Sequence, residues 1–374
     1  VTPRRQRQMC IRDSIHIEPK RDKSMIRFRV YGVLHHIHSV PGNLHPAMVS
    51  RLKLLSRLDV AEKRRPQDGR IKTEHMGKDI ELRVSTLPVA FGEKVVIRIF
   101  DPEILMQKLD RIGFNEREYK LYSSFIRMPH GIILVTGPTG SGKTTTLYSS
   151  LKTISAPEIN ILTVEDPIEM VMEDFNQVGV QPAIDVTFAT VLRNILRQDP
   201  DVLMIGEIRD RETASNAVQA ALTGHLVLST LHTNDAPSSI ARLLDIGIPA
   251  FLVSSTVSGI IAQRLLRTIC QECKFERLLT EEEMVYLAME QKEYKVWEGK
   301  GCDECRGTGY KGRTGIFEVL EFTERLKANI TEQTDMTKIY EIARADGMVS
   351  LRELAIQKLL DGKTTFQEIF SVTG

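Results

Sequence analysis

The stretch from Gly131 to Leu151, GIILVTGPTGSGKTTTLYSSL, constrains this chain more than any other. An apolar run over residues 132–135 predicts a buried parallel strand, and a helical pattern begins at Lys143. Between them, Gly137–Thr144 fits G-x-x-x-x-G-K-[ST], a loop whose backbone N–H groups cradle phosphates. The start of a helix adds a positive dipole end to such a loop. The sequence therefore predicts a nucleoside triphosphate site.

Each residue type in this loop has a chemical role. Glycines let the backbone curl tightly, the Lys143 ammonium can reach the β- and γ-phosphates, and the Thr144 hydroxyl can ligate Mg²⁺. The residues predicted to bind the nucleotide here are Gly137, Pro138, Thr139, Gly140, Ser141, Gly142, Lys143, Thr144 and Thr145.

Composition narrows the class of protein. The 374 residues suffice for two or more domains, and 42% hydrophobic with 26% charged residues is ordinary for a globular protein. A net charge of +1 gives no bulk argument for binding nucleic acid or an anionic membrane. No apolar run approaches the roughly 18 residues of a membrane-spanning helix, and no signal peptide is visible. We therefore expect a cytoplasmic protein.

Patterning divides the chain into three parts. Residues 1–13 are basic and without periodicity, and we predict a non-family arm or artefact there. Residues 14–100 alternate strand patterns with one helix, which predicts a small α+β domain. Residues 101–374 contain the phosphate loop and form the predicted second domain.

The second domain repeats an apolar strand followed by a helix. Such strands are expected at residues 159–164, 202–205 and 226–230, and their alternation with helices predicts a mostly parallel, doubly wound sheet. Ligands bind such α/β sheets at the carboxyl ends of the strands. The chain places acidic residues and a histidine at these ends.

Two carboxylates follow buried strands. Glu207 comes after residues 202–205, and because Gly206 stands where an Asp is commonest, we predict that Glu207 acts as the base. Mg²⁺ would then be held by Thr144, phosphates and waters. Glu165 begins the acidic segment EDPIE, which predicts Mg²⁺ or water positioning, with a solvated acidic loop as the alternative.

His225 and His232 flank the strand at residues 226–230. His232 follows the strand, where a γ-phosphate sensor would lie. A structural role is an equal alternative for this residue, because lone histidines are more often structural.

Four of the five cysteines form two C-x₂-C pairs separated by 28 residues. Paired thiolates at such spacing suit a tetrahedral Zn²⁺ site, which would be structural because all four ligand positions are filled. Ordinary buried cysteines are the alternative. The predicted zinc ligands are Cys270, Cys273, Cys302 and Cys305, within a subdomain at residues 268–312.

With these motifs in view, the chain from Ser14 onward resembles the ATPases of type II secretion and type IV pilus assembly. Four segments carry the resemblance: a Walker A loop, an aspartate box, a Walker B segment and a histidine box. They lie at Gly137–Thr144, Ile161–Glu169, Leu196–Asp210 and Thr223–Asn234. The tetracysteine segment resembles that of extension and secretion members, whereas retraction ATPases lack it.

The resemblance implies a RecA-like ATPase domain preceded by a smaller PAS-like domain, in a hexamer with ATP at subunit boundaries. It implies that two arginines of the smaller domain reach the phosphates, and LRVSTLP and EKVVIRIF put them at Arg83 and Arg98. By the same resemblance, Glu207 is the catalytic carboxylate and Glu165 a water or metal positioner. His225 and His232 form the histidine-box pair.

Two departures from the family pattern stand out. Tyr31 occupies the position of the aspartate in the family's RxRxDGxL motif, which affects one turn. The family's N-terminal docking domain does not precede Ser14, so we expect a shortened form whose coupling to the membrane machinery is lost.

The sequence thus predicts a hexameric cytoplasmic motor, peripheral to the inner membrane, that hydrolyses ATP to drive assembly of pilins or pseudopilins. Its expected partner is an inner-membrane platform protein, and no nucleic acid is expected. The alternatives are a RecA-like nucleic-acid translocase, a non-hydrolysing nucleotide switch and a zinc-dependent adaptor. Near-neutral charge weighs against the translocase, and Glu207 weighs against the switch.

Overall fold

The computed structural model describes residues 12–75, 78–100 and 107–373. The chain divides into two compact units, residues 1–104 and 105–374. The arm predicted at residues 1–13 lies almost wholly outside the described residues, although the first strand already begins at Arg12. Within the described residues, no helix is both long and apolar enough to cross a membrane.

In its described residues, the first unit is an antiparallel sheet packed against the α-helix α1 (His45–Leu55). The strand order is β3-β2-β1-β6-β5-β4. Its small core brings together Ile17, Val84 and Val95 from the strands with Val49 from α1. The strands are β1 (Arg12–Pro19), β2 (Lys23–Val30), β3 (Val33–Pro41), β4 (Gln67–His75), β5 (Lys78–Val89) and β6 (Gly92–Phe100).

The turn between β2 and β3 contains the departure from the family motif. Val30 pairs with Val33, so Tyr31 and Gly32 are the two central residues of a hairpin turn. Both have positive φ, 49° and 83°, as the twist-compatible two-residue turn requires. Tyr31 therefore adopts the left-handed backbone in which aspartate or asparagine is the commoner residue.

The second unit is built on a seven-stranded sheet with the order β15-β12-β7-β11-β10-β8-β9. All neighbours are parallel except β15, which runs antiparallel to β12. The strands are β7 (Gly131–Thr136), β8 (Ile161–Glu165), β9 (Asn176–Gly179), β10 (Val202–Ile205), β11 (Leu226–Leu231), β12 (Val257–Ile269) and β15 (Tyr310–Glu321).

Both faces of this sheet are covered. Alternate residues of β7 belong to different apolar clusters: Ile132 and Leu134 to one, Ile133 and Val135 to the other. Successive side chains of a strand point to opposite faces, so the two clusters lie on the two sides of the sheet. The α/β class and the mostly parallel sheet predicted from the sequence are confirmed.

Helices follow most strands of the second unit, and four short ones lie at the C-terminus. The helices are α2 (Glu116–Phe125), α3 (Lys143–Ile154), α4 (Phe188–Ile195), α5 (Arg211–Leu222), α6 (Ser238–Ile246), α7 (Ala250–Thr256), α8 (Glu281–Leu287), α9 (Glu324–Lys327), α10 (Met336–Ala345), α11 (Leu351–Leu360) and α12 (Phe366–Thr373).

The sequence pattern of residues 279–294, between the cysteine pairs, predicts a helix, and the structure forms only part of it. A capping box of Thr280 and Glu283 starts α8, and Ala288 ends it with a φ of 55°. The chain then forms β14 (Lys295–Gly299), antiparallel to β13 (Lys274–Leu278). The helix therefore covers only the first half of residues 279–294, and the pairing of β13 with β14 joins the two ends of the insertion.

Candidate active site and metal centre

The phosphate loop connects β7 to α3 at the carboxyl edge of the sheet. Gly137 and Gly142 have φ values of 146° and 91°. A Cβ atom at Gly137 would lie 2.5 Å from the backbone oxygen of Gln263. Both the dihedral angle and the contact thus require glycine at this position.

Lys143, the first residue of α3, points back over the loop. Its Nζ donates hydrogen bonds to the carbonyls of Gly137 at 2.7 Å and Pro138 at 3.3 Å. Burial lowers the pKa of Lys143 to about 8, although Glu207 acts to raise it. Thr144 and Thr145 follow in the first turn of α3, partly exposed. A cationic group and hydroxyls therefore border the backbone cradle.

Glu207 and His232 lie near this lysine. His232 follows β11, the neighbour of β7 in the sheet, and Glu207 follows β10, the next strand beyond β11. The distance from His232 Nε2 to Glu207 Oε2 is 3.6 Å, and Arg209 contacts the other oxygen at 2.5 Å. Burial, followed by the charge of Lys143, lowers the pKa of His232 and favours its neutral ring. The structure thus brings together Lys143, Glu207 and His232.

Glu165 ends β8 but uses its carboxylate inside the fold. The Tyr148 hydroxyl donates to Oε2 and the Thr163 hydroxyl to Oε1, both at 2.7 Å. Gln177 donates to Oε1 at 3.1 Å, and Glu165 is 4% exposed. These contacts hold α3, which carries Tyr148, against β8. They favour a positioning role over direct contact with metal or water.

His225 does not join His232 at the phosphate loop. It precedes β11, and its backbone oxygen accepts a hydrogen bond from Gly131, the first residue of β7. Its ring contacts Thr223 and the carbonyl of Ala220. Six residues of strand put it roughly 20 Å from the carboxyl edge. The two histidines therefore lie at opposite ends of one strand, and contact between His225 and a nucleotide stays a prediction.

Two neighbouring residues on β12 border the loop and were not expected from the sequence. The side chain of Gln263, 2% exposed, accepts a hydrogen bond from Thr146 of α3 at 2.7 Å. Arg264 donates to the backbone oxygen of Asn234 at 2.9 Å. The strand VSGIIAQRLLRTI mixes polar with apolar residues, and only its pairing with β7 brings these two to the loop.

Arg83 and Arg98 belong to the first unit, where they are directly paired across β5 and β6. Residues paired in this way lie on one face of a sheet. Arg98 is exposed, and Arg83 lies 3.6 Å from Glu81. Their approach to a nucleotide stays a prediction.

The four cysteines of the second unit form one cluster. All four Sγ atoms lie within 4.8 Å of one another. The distances from Cys270 to Cys302 and from Cys273 to Cys305 are both 3.8 Å. A tetrahedral Zn²⁺ with bonds near 2.3 Å would hold its sulfur ligands about 3.8 Å apart. Cys305 also accepts N–H bonds from Cys302 and Gly309. The donor set and spacing fit zinc.

A parallel α/β sheet with a phosphate loop after its central strand, and a carboxylate after a nearby strand, defines the class of P-loop nucleotide-binding proteins. The family described as "Type II/IV secretion system protein" matches residues 11–371. The chain belongs to this family, and the resemblance inferred from its motifs is confirmed.

Curated relatives come from both branches of the family. Over 96% of this chain, it is 49% identical to the type IV pilus assembly ATPase TfpB of Acinetobacter baylyi and covers 62% of that protein. It is also 49% identical to type II secretion system protein E of Pseudomonas aeruginosa, covering 72% of it. Identity to the type IV pilus assembly ATPase PilB of the same organism is 44%, with 64% covered. The chain thus spans about two thirds of its relatives' lengths.

Solved structures share the fold. The pilus retraction motor PilT, solved with bound ADP, superposes with a TM-score of 0.65 at 26% identity, covering 96% of this chain and 93% of PilT. The ATPase DotB of Legionella pneumophila gives a TM-score of 0.68 at 22% identity, covering 97% and 91%.

Proposed function

We propose that this chain is the motor part of an ATPase that powers pilin or pseudopilin assembly in type IV pilus biogenesis or type II secretion. The observation that carries the proposal is the grouping of Glu207 and His232 with Lys143 at the phosphate loop. The named activities of the relatives support it. The near-neutral composition and these relatives give no reason to prefer a nucleic-acid translocase.

The loop residues fit a triphosphate. Gly140 has open space around its Cβ position, and the buried Ser141 hydroxyl has no hydrogen-bond partner in the protein. In the proposal, backbone N–H groups of residues 137–144 and the Lys143 ammonium bind the phosphates. Mg²⁺ held by the Thr144 hydroxyl would neutralise phosphate charge. Glu207 accepts the proton of the attacking water, with His232 beside it.

Other elements of the proposal come from the family resemblance. The chain would act as a homo-hexamer at the cytoplasmic face of the inner membrane, with a platform protein as partner. Arg83 and Arg98 would reach a nucleotide. For Glu165 the resemblance implies a water or metal positioner, but its hydrogen bonds to Tyr148 and Thr163 lead us to propose that it holds α3. The cysteine cluster would bind one structural Zn²⁺.

The test is the substitution Glu207→Gln in the purified chain with Mg²⁺ and ATP. Removing the base should lower kcat by about 100-fold or more, while a fluorescent ATP analogue still binds because the loop is intact. Glu212→Gln is the matched control, since Glu212 is an exposed carboxylate on the following helix. Turnover at the wild-type rate in Glu207→Gln would refute the assigned base.

A further inference from the structure

We propose that Arg264 and Glu318, on the adjacent strands β12 and β15, form a clamp that holds the loop after β11 and keeps His232 against Glu207. We call residues 232–236 the histidine loop. The clamp rests on the proposed function, because positioning matters only where Glu207 and His232 serve hydrolysis.

Glu318 is the buried half of the clamp. It is 4% exposed, and burial raises the pKa of its carboxyl group. One oxygen accepts the N–H of Ala236 at 2.7 Å, and the other accepts the N–H of Leu351 at 3.2 Å. A buried carboxylate is stable only when such donors compensate its lost hydration. Glu318 therefore fixes the end of the histidine loop to the first residue of α11.

Arg264 holds the middle of the same loop. Its Nη2 donates to the backbone oxygen of Asn234 at 2.9 Å and to Oδ1 of that residue at 3.3 Å. Nη1 of Arg264 lies 3.2 Å from the position of a Cβ on Gly137. One guanidinium thus borders the phosphate loop and binds the histidine loop.

His232 depends on such backbone anchors. Its ring is half exposed, and its distance of 3.6 Å to Glu207 exceeds that of a good hydrogen bond. The start of the loop is held by Thr136, whose hydroxyl accepts the N–H of Thr233 at 2.8 Å. The Thr233 hydroxyl also hydrogen-bonds Ser239 at 2.7 Å, and Arg264 and Glu318 hold the middle and the end of the loop. The two residues are therefore positioning residues that act on the chemistry through His232.

The principal test is Glu318→Gln in the full chain. The amide has one oxygen and one NH₂ group in place of two oxygens. The N–H of either Ala236 or Leu351 then loses its acceptor, so the histidine loop should loosen. A small displacement of a reacting group predicts a fall in kcat of about 10- to 100-fold, with KM for ATP unchanged. Glu321→Gln is the matched control, because Glu321 is exposed on the same strand.

A double-mutant cycle separates positioning from general damage. In a His232→Ala background, Glu318→Gln should have little further effect on kcat, because the clamp acts through His232. Equal losses in both backgrounds would overturn the proposal. Arg264→Gln should also lower kcat; a weaker ATP affinity at unchanged kcat would instead make Arg264 a phosphate ligand and overturn its role here.

Hydrogen exchange tests the clamp without relying on turnover. Deuterium uptake in peptides containing residues 232–236 should be faster in Glu318→Gln and in Arg264→Gln than in the wild type or in Glu321→Gln. Unchanged uptake would overturn the clamp. If the wild type had no ATPase activity while the two variants showed the expected faster uptake, the proposed function would be refuted and the clamp would stand.

Discussion

The charge of Lys143, in the phosphate loop, depends on its surroundings in the fold. Burial lowers its pKa to about 8, and the neighbouring Arg264 lowers it further, whereas Glu207 raises it. A bound triphosphate would add several negative charges beside the ammonium. Because opposite charge favours the charged form, binding should raise the pKa of Lys143.

This shift predicts pH-dependent nucleotide binding. Above about pH 8 the free lysine is mostly neutral, so binding takes up a proton and affinity falls as pH rises. Titration calorimetry at about pH 8.5, in two buffers of different ionisation enthalpy, should reveal this uptake. In Lys143→Arg the guanidinium is protonated both before and after binding, so the proton uptake should vanish. Equal uptake in both proteins would assign the proton elsewhere.

At the scale of single elements, the strands richest in apolar residues could be predicted from the sequence. The strand expected at residues 202–205 is observed with the same bounds, and the one expected at 226–230 ends one residue later. Both are fully buried, and apolar runs mark them: residues 202–205 are all apolar, as are residues 226–228. The phosphate loop could be predicted because it is a local pattern.

Elements that depend on distant pairing could not be predicted. β12 and β15, of 13 and 12 residues, contain glycines and charged residues and pair antiparallel with each other. Gln263, Arg264 and Glu318 lie on these strands, so their places beside the loops were not visible either. His225 precedes β11 and His232 follows it, and a sequence motif does not show that the strand separates the two histidines.

The cysteine cluster makes a prediction about the β13–β14 insertion. The purified chain should contain about one zinc per chain, measured by mass spectrometry, and Cys302→Ser should lose the metal and lower Tm. Cys302 and its three partners join the two ends of this insertion, so an opened cluster should loosen it. Glu293→Gln is the matched control, since Glu293 is exposed in the same insertion and is not a member of the cluster. If the wild type contained no metal and Cys302→Ser had the wild-type Tm, the four cysteines would be ordinary buried thiols.

At the scale of the whole molecule, the residues expected to act on the nucleotide are divided between the two compact units. The phosphate loop, Glu207 and His232 lie in residues 105–374, whereas Arg83 and Arg98 lie in residues 1–104. The two arginines are paired across neighbouring strands and share a face. If they serve a neighbouring subunit's nucleotide, each complete site needs parts of two chains.

Mixed assemblies test this arrangement. Lys143→Ala and Arg98→Ala should each abolish turnover alone, but co-expressed chains should regain part of it, because some subunit boundaries then combine an intact loop with an intact Arg98. The matched control pairs Lys143→Ala with Glu207→Gln, whose defects lie in the same unit, so no boundary is restored. ATPase activity of the purified mixtures is the readout. Absence of recovery in the first mixture, with both variants assembled, would mean that Arg98 serves the nucleotide of its own chain or none.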